Sequence, residues 1–315
     1  MIFRRGLARL AMGLALALPF GITAPAPAQA QDWKGTIKEF RVGLLGGENA
    51  QDRLARYDGF QKLLQEKLGI PVKLFPSADY AGVMQGMAAG QLDMASFGAS
   101  GFAGTWLDCK CVEPIAVPQE NDGSTYYYSV MVTLKGSGIT SIETMKGHSL
   151  AFADENSTSG YLIPSATMKT KGISMEPGAY FSRTGFAGGH EQGVVAVLNK
   201  QYDAAVTWTS GQGDIKDGYS RGNLRSMVDK GMLKMDQINI IWQSGKIPNG
   251  PWAVRTALPA DLKKALTTFL LDLPKTHKDV YDAIERGSGV GYAPASMDLY
   301  QDIIDLREAE GRANR

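Results

Sequence analysis

The stretch Ser149-Leu-Ala-Phe-Ala-Asp154-Glu-Asn-Ser157-Thr-Ser-Gly160, continued by Tyr-Leu-Ile-Pro164, is the part around which the chain is organised. Its first five residues form an apolar run short enough to be a buried strand, and the residues after Gly160 predict a helix. Three consecutive hydroxyl side chains therefore lie at a strand-to-helix turn, where the first N–H groups of a helix have no intrahelical partner. Such a turn favours an oxyanion, which the helix dipole also attracts. The alternative is an N-cap with solvated neighbours, because Ser, Thr, Asn and Asp are common there.

Residues 1–30 have the pattern of a secretory signal peptide. A basic segment with three arginines precedes an apolar run from Leu10 to Phe20, and Ala28-Gln-Ala30 is a small-x-small cleavage site. The apolar run is too short to anchor the chain in a bilayer. We therefore expect an exported protein of the periplasm whose mature form begins near Gln31.

The charge of the mature chain is close to balanced. Without the three arginines of the signal segment, 30 basic residues remain against 32 acidic residues. This balance gives no indication of a nucleic-acid partner.

Cys109 and Cys111 are the two cysteines of the sequence and are separated by one residue. In an oxidising compartment we prefer a local disulfide over a redox or metal role, since two thiols without nearby histidine ligands make a poor zinc site. His148 and His277 lack a motif around them and are interpreted as structural.

Hydrophobic patterning predicts alternating strands and helices. The predicted strands are 40–45, 71–75, 92–97, 113–117, 126–134, 238–242 and 252–254, and the predicted helices include 52–68, 259–273 and 295–308. A second set of strand–helix–strand units occupies 139–235. This layout predicts an α/β fold with two lobes joined by two crossing strands. Lobe 1 is discontinuous, 31–125 and 243–315, and lobe 2 comprises 126–242 including the hinge strands.

An internal repeat supports two similar lobes. Segments that begin at Tyr80 and His190, placed 110 positions apart, share the pattern Gln-x-Asp-x-Ala and, further on, Ser-Gly. The shared aspartates, Asp93 and Asp203, are interpreted as residues of a helix-to-strand turn. Tyr80 and His190 then occupy equivalent sites ahead of a helix, one in each lobe, and we expect them to face a common cleft.

Four segments together resemble the phosphonate-type periplasmic binding proteins of ABC importers. They are Asp79-Tyr-Ala-Gly82, Tyr127-Tyr-Ser129, Asn156-Ser-Thr-Ser-Gly160 and Gly189-His-Glu191. The resemblance covers almost all of the mature chain and implies a type II periplasmic binding protein fold. It also implies a monomeric, non-enzymatic protein without a cofactor, whose cleft closes on a small phosphorus oxyanion (phosphonate, phosphite or phosphate) and which serves a membrane permease.

The resemblance also implies the ligand-binding residues. In that family a Ser-Thr-Ser turn and a histidine hold the phosphonate oxygens, and two tyrosines approach from the other side. Carried over to this sequence, and with two neighbouring candidates added, the predicted ligand-binding residues are Tyr80, Tyr127, Ser157, Thr158, Ser159, His190, Ser100 and Trp208.

One departure from the family concerns aminoalkylphosphonates. Relatives that select them hold the ammonium with carboxylates, and the matching positions here are Ser210 and Gly250. Because neither can pair with a cation, we expect phosphite, methylphosphonate or phosphate to bind more tightly than 2-aminoethylphosphonate. Trp208 is expected to wall off that space.

Two other functions agree with parts of the sequence. A hydrolase or transferase could use Ser157 or Ser159 as nucleophile with His190 and Asp203, but the sequence lacks a Gly-x-Ser-x-Gly elbow around these serines. A binding protein that feeds a sensor would have the same ligand pocket, and neighbouring genes would distinguish it.

Overall fold

The computed structural model describes residues 33–176 and 178–313, so the predicted signal peptide lies outside the described residues. The strands are β1 (Phe40–Leu44), β2 (Val72–Pro76), β3 (Met94–Ser96), β4 (Val112–Gln119), β5 (Tyr126–Leu134), β6 (Ser149–Phe152), β7 (Arg183–Phe186), β8 (Ala204–Thr209), β9 (Ile238–Gln243), β10 (Ile247–Pro248), β11 (Trp252–Arg255) and β12 (Gly291–Pro294). The helices are α1 (Ala50–Leu68), α2 (Tyr80–Ala88), α3 (Ala99–Cys109), α4 (Ile163–Thr170), α5 (His190–Leu198), α6 (Asn223–Asp229), α7 (Ala260–Thr276), α8 (Lys278–Glu285) and α9 (Gln301–Ala313).

The strands form two mixed sheets, one in each lobe. The first has the order β12-β4-β11-β3-β1-β2, and the second has the order β10-β5-β8-β6-β7, with β9 also paired to β5. In the first sheet β2, β1 and β3 are parallel, and in the second β7, β6 and β8 are parallel in the same spatial order. The helix after β2 begins at Tyr80 and the helix after β7 begins at His190. The two-lobed α/β fold predicted from the sequence is confirmed.

The two aspartates of the internal repeat have the same structural role in each lobe. Asp93 Oδ2 accepts a hydrogen bond from the backbone N–H of Arg41 at 2.9 Å, at the start of β1. Asp203 Oδ2 accepts one from the backbone N–H of Ser149 at 2.7 Å, at the start of β6. Each aspartate thus lies in the turn before one parallel strand and hydrogen-bonds the backbone of the neighbouring strand. This agrees with their interpretation as turn residues.

Helix α1 shows how the sequence forms the core of the first lobe. Its N-cap is Asn49, whose side chain accepts from two backbone N–H groups, and it ends at Gly69 with a φ of 66°, a conformation that glycine adopts readily. The residues that it buries follow a helical spacing and include Tyr57, Phe60, Leu64 and Leu68. Phe60 stacks on Trp252 of β11 with ring centroids 5.0 Å apart. Each such buried side chain stabilises the fold by about 1.5–3 kcal/mol relative to an exposed one.

Two short connections join the sheets: residues 120–125 between β4 and β5, and residues 249–251 between β10 and β11. In the first connection Glu120 N–H donates to Ser124 O and Gly123 has a φ of 80°, so the chain makes a turn between the two strands. The lobe boundaries at 125/126 and 242/243 remain a proposal. Strand β10 pairs with β5 beyond the second of these boundaries.

Cys109 and Cys111 form a disulfide at the end of α3, as preferred from the sequence. His148 directly precedes β6, and its Nδ1 lies 3.6 Å from Asp203 Oδ2. His277 lies between α7 and α8. Across residues 33–176 and 178–313, no helix has the length and apolar character needed to span a membrane.

Candidate ligand-binding site

A cavity of about 130 Å³ lies between the two lobes and is lined by both. Seven of the eight residues predicted to bind the ligand line this cavity: Tyr80, Tyr127, Ser157, Thr158, Ser159, His190 and Trp208. Tyr80 comes from the first lobe and the others from the second lobe, so the ligand-binding residues predicted from distant parts of the sequence are brought together.

The hydroxyl turn (Ser157–Ser159) follows the fully buried strand β6 and begins a π-helical turn, Thr158–Leu162, which continues into α4. Ser157 caps this segment, because its Oγ accepts from the N–H of Gly160 at 2.9 Å. Pro164 has no N–H to donate back to the preceding π-helical turn, and the Ser159 carbonyl of that turn accepts from Ser129 Oγ at 2.6 Å. The three hydroxyl residues are at most 2% exposed, so their donors point away from bulk water.

Gly160 allows the hydroxyl turn to pack tightly against its neighbours. A Cβ at this position would lie 2.5 Å from the Cβ of Ala153 and 2.9 Å from Cε1 of His190, distances that a side chain does not tolerate. Glycine is therefore the residue that lets the turn approach both β6 and the start of α5.

His190 is the first residue of α5 and is held next to the hydroxyl turn. Its Nε2 lies 3.1 Å from Ser157 Oγ. Burial, and next the positive charge of Arg286, lower the pKa of His190 to about 3. The imidazole is therefore neutral at pH 7, so it can hydrogen-bond Ser157 without placing a charge in the cavity.

Two tyrosines complete the polar lining. Tyr80 begins α2, and its backbone N–H donates to Asp154 Oδ2 at 3.4 Å across the lobes. Tyr127 lies in β5 and packs edge-on against Trp208 with ring centroids 5.5 Å apart. Burial raises the pKa of both tyrosines above its usual value, so both hydroxyls remain protonated and available as donors.

Ser100 lies behind the hydroxyl turn rather than in the cavity. Its backbone N–H donates to Thr158 Oγ1 at 2.8 Å, and its own hydroxyl accepts from Arg307 Nη1 at 2.8 Å. Arg307 of α9 also donates to the side-chain oxygen of Asn156. The structure thus places Ser100 outside the residues that line the cavity, where its N–H occupies the acceptor side of Thr158, and its role as a ligand contact stays a prediction.

The two positions expected to carry carboxylates in amine-selective relatives are arranged differently from each other. Gly250 lines the cavity, and a Cβ there would lie 1.8 Å from the carbonyl oxygen of Phe97. No side chain fits at Gly250 without a backbone shift. Ser210 is buried and its hydroxyl pairs with that of Ser220 at 2.9 Å. Neither position offers a carboxylate to a ligand.

Charged residues of the cavity were not anticipated from the sequence. Four arginines and two glutamates line it: Arg53, Arg56, Arg221, Arg286, Glu48 and Glu285. Although burial alone would raise it, the charges of Arg286 and Arg56 lower the pKa of Glu48 to about 2. No sequence signal marks these residues: Arg53 and Arg56 lie on the amphipathic α1, where an arginine is usually on a solvated face, and Arg221, Arg286 and Glu48 lie outside the helices.

The lobes meet directly at the mouth of the cavity. A Cβ on Gly189 would lie 2.4 Å from both Cα and O of Gly47, which means that the two backbones touch. Beside them Lys230 Nζ lies 2.8 Å from Glu191 and 3.3 Å from Asp52, and so connects α6 with α1. The structure therefore represents the closed arrangement of the two lobes.

The triad needed by a Ser-nucleophile enzyme is not assembled. Asp203 accepts from the backbone N–H and the hydroxyl of Ser149, both at 2.7 Å, at the opposite end of β6 from Ser157. The Ser157–His190 pair thus has no support from the carboxylate that the hydrolase alternative required.

Comparison with known proteins gives consistent similarities. The chain matches the family described as ABC transporter, phosphonate, periplasmic substrate-binding protein over residues 42–300. It is 31% identical over 309 residues to the phosphonates-binding periplasmic protein of Escherichia coli (strain K12), covering 96% of this chain and 84% of the relative. It is 29% identical over 260 residues to the phosphate-import protein PhnD of Mycolicibacterium smegmatis, covering 80% and 76% respectively. A crystal structure of a binding protein component of an ABC phosphonate transporter from Pseudomonas aeruginosa matches with a TM-score of 0.74 at 27% identity, covering 88% of this chain and 89% of that chain.

Proposed function

The chain belongs to the family of periplasmic substrate-binding proteins of phosphonate ABC transporters, and we propose that it binds a small phosphorus oxyanion in the cavity between its lobes and delivers it to a membrane permease. The observation that carries the proposal is the buried hydroxyl turn, which lines the same cavity as neutral His190 and the two tyrosines.

The chemistry of this lining suits a tetrahedral oxyanion. Hydroxyl groups donate to a deprotonated oxygen and accept from a protonated one, so they can match an anion in more than one protonation state. Hydrogen bonds to a charged group contribute about 1.5–3 kcal/mol each, roughly twice the contribution of neutral pairs. Hydroxyl donors also cost less to bury than an additional unpaired cation. A binding protein gains affinity in this way without an increase in the charge of its closed cleft.

We assign binding and release to this site, and no chemical step. Ser157 Oγ already accepts from Gly160 N–H, and His190 is paired with that same hydroxyl. Both groups are thus used to shape the hydroxyl turn. The cavity is completed by residues of one chain, so we further propose that the protein acts as a monomer.

The ligand is proposed to carry a substituent on phosphorus that is not cationic. Gly250 has no space for a carboxylate side chain and Ser210 lies outside the lining. An ammonium in the closed cavity would therefore lose its water without a new partner at these positions, which costs several kcal/mol. Trp208 supplies an apolar surface on the second-lobe side.

Titration calorimetry of mature chain 31–315 against phosphite, methylphosphonate, phosphate and 2-aminoethylphosphonate tests the proposal. We expect one-to-one binding of at least one of the first three, with 2-aminoethylphosphonate weaker. The Thr158→Val variant should weaken that binding by about 1.5–3 kcal/mol, since it removes one hydrogen bond to a charged group.

The matched control is Thr170→Val, an exposed threonine of α4 outside the cavity. It should bind like the wild type. Equal affinities of wild type and Thr158→Val would contradict the assignment of the hydroxyl turn. Absence of binding by all four anions would contradict the proposed function.

A further inference from the structure

The arginines that line the cavity are not equally neutralised. Arg221 is fully paired: it donates to both oxygens of Glu120, to Glu285 at 3.0 Å and to Asn249 at 2.7 Å. Its charge is balanced by two buried carboxylates of the first lobe. Arg221 therefore joins the two lobes rather than binding a ligand.

The arginine cluster (Arg53, Arg56 and Arg286) lines one part of the cavity, and two of its members, Arg56 and Arg286, share the carboxylate of Glu48. Arg56 binds both oxygens of Glu48, and Arg286 Nη2 donates to Oε1 at 2.9 Å. Lys230 at the mouth also lies 3.9 Å from Glu48 and is paired more closely with two other carboxylates, Asp52 and Glu191. The cluster therefore has more positive than negative charge where it faces the cavity.

Arg53 is the member with the least compensation. It is 2% exposed, and its terminal nitrogens donate to the backbone carbonyls of Leu45 and Ser77. Within the described part of the chain it has no ion pair, and the Nε atoms of Arg53 and Arg56 are buried without a hydrogen-bond partner. Buried cationic donors without an acceptor are unfavourable, so an anion brought to the cluster would be stabilised.

Arg286 connects the cluster to the hydroxyl turn. After burial, its charge is the largest influence on the pKa of both His190 and Tyr80, and it lowers both. Its bond to Glu48 is the one hydrogen bond that the guanidinium makes among the described residues. Arg286 thus lines the same cavity as the hydroxyl turn, is joined to the cluster through Glu48, and has further guanidinium donors that no described residue accepts.

Neither glutamate of the lining can receive a ligand cation. Glu48 is occupied by Arg56 and Arg286, and Glu285 accepts from Arg221 and from the hydroxyl of Tyr292. A positively charged substituent would meet arginines, whereas a negatively charged one would meet unused donors.

We propose that the cavity selects phosphonates whose substituent ends in a second anionic group, a carboxylate or a second phosphonate on an arm of one or two carbons. This inference rests on the proposed function, in which the hydroxyl turn holds the phosphonate oxygens. The arginine cluster then holds the second anionic group, because a carboxylate or phosphonate accepts two parallel hydrogen bonds from one guanidinium.

The test compares ligands of equal size and different charge. Phosphonoacetate ends in a carboxylate and phosphonoacetamide in an uncharged amide of the same size, whereas methylphosphonate lacks the second group altogether. Competition calorimetry at pH 7.5 and 0.15 M salt should show phosphonoacetate binding at least about tenfold more tightly than phosphonoacetamide or methylphosphonate. In Arg286→Gln this preference should shrink to less than about threefold. The control variant is Arg225→Gln, which removes a cation that pairs with Asp229 on α6. It should keep the wild-type preference for phosphonoacetate.

The outcomes separate the inference from the function. If methylphosphonate and phosphonoacetamide bind as tightly as phosphonoacetate, the arginines serve the phosphonate itself and the inference is overturned while the function stands. Tightest binding of 2-aminoethylphosphonate would overturn it as well. If no phosphonate binds to the wild-type protein, the proposed function fails first. The ligand comparison on wild type remains decisive even if Arg286→Gln does not fold.

Discussion

Replacement of Gly189 by alanine tests whether the lobes close by direct backbone contact. Gly189 has φ 169° and ψ 171°, an extended conformation that alanine adopts without strain. The new Cβ would lie 2.4 Å from Cα and from O of Gly47 in the closed arrangement, about 1 Å closer than ordinary van der Waals contact allows. The Cβ would also lie 2.4 Å from Oε1 of Gln192 in the same lobe, but this is the end of a flexible side chain that can turn away. The open protein should therefore fold, while closure is obstructed by the backbone of Gly47.

The magnitude follows from the cost of overpacking. Forcing one extra carbon into a packed contact costs about 1–3 kcal/mol, and this cost falls on the closed state alone. We expect the dissociation constant for the phosphorus oxyanion to rise by about 5- to 150-fold in Gly189→Ala. Calorimetry measures this change, and small-angle scattering should show less ligand-induced compaction than in the wild type.

A matched control is Gly245→Ala, because a Cβ there meets nothing within 4 Å and the residue lies between β9 and β10. It should bind and compact like the wild type. Wild-type affinity together with full compaction of Gly189→Ala would refute the contact between Gly47 and Gly189 as a determinant of closure.

Three further variants probe the site and its supports. Tyr127→Phe should weaken anion binding by roughly tenfold in calorimetry, because one buried O–H donor is lost; an unchanged affinity would exclude Tyr127 as a ligand contact. Since the pKa of His190 is about 3 in the folded protein and about 6.5 when unfolded, the unfolded state takes up the proton first as pH falls. The free energy of unfolding, measured with urea, should therefore fall as the pH drops below 6.5, by roughly 1 kcal/mol per pH unit more in the wild type than in His190→Gln. Parallel pH profiles of the two proteins would contradict a neutral buried imidazole. Arg221→Met should lower the free energy of unfolding by about 3–5 kcal/mol, because it leaves Glu120 and Glu285 buried without their cation, and a loss below 1 kcal/mol would show that the pairing contributes little.

The sequence predicts best what depends on short-range pattern. Helix α1 and the strands of the parallel units are determined by the spacing of apolar residues and by caps, which are local signals. The repeat that aligned Tyr80 with His190 predicted two equivalent helix starts, and the structure places them in one cavity. The hydroxyl turn was recognisable because all of its donors are consecutive in the chain.

Helix α3 was not predicted because its sequence is a poor helix former. Gly101 and Gly104 lie within it, and each glycine disfavours a helix by about 1 kcal/mol relative to alanine. Packing overrides this preference: a Cβ on Gly104 would lie 2.7 Å from Nε of Arg307 in α9. The small residues of α3 thus serve close approach to another helix, which no local pattern reveals.

The arginine cluster was missed for a different reason. Glu48 and Arg286 are separated by 238 positions, and Arg221 and Glu120 by 101. Glu48 and Arg286 both belong to the discontinuous first lobe and meet through its fold, whereas Arg221 and Glu120 meet across the two lobes. The sequence around each of these residues shows no motif. Ser100 belongs to the Ser-Gly pair of the internal repeat, and the repeat could not show that its N–H and hydroxyl are directed to Thr158 and Arg307.

A crystal structure of the mature chain with methylphosphonate would show whether the hydroxyl turn holds the phosphorus oxyanion. We expect a phosphonate whose oxygens lie within about 2.6–3.2 Å of the hydroxyls of Thr158, Ser159 and Tyr127, in a cavity closed by Gly47 and Gly189. A ligand bound at another surface, or a phosphonate in this cavity without contact to the hydroxyl turn, would contradict it.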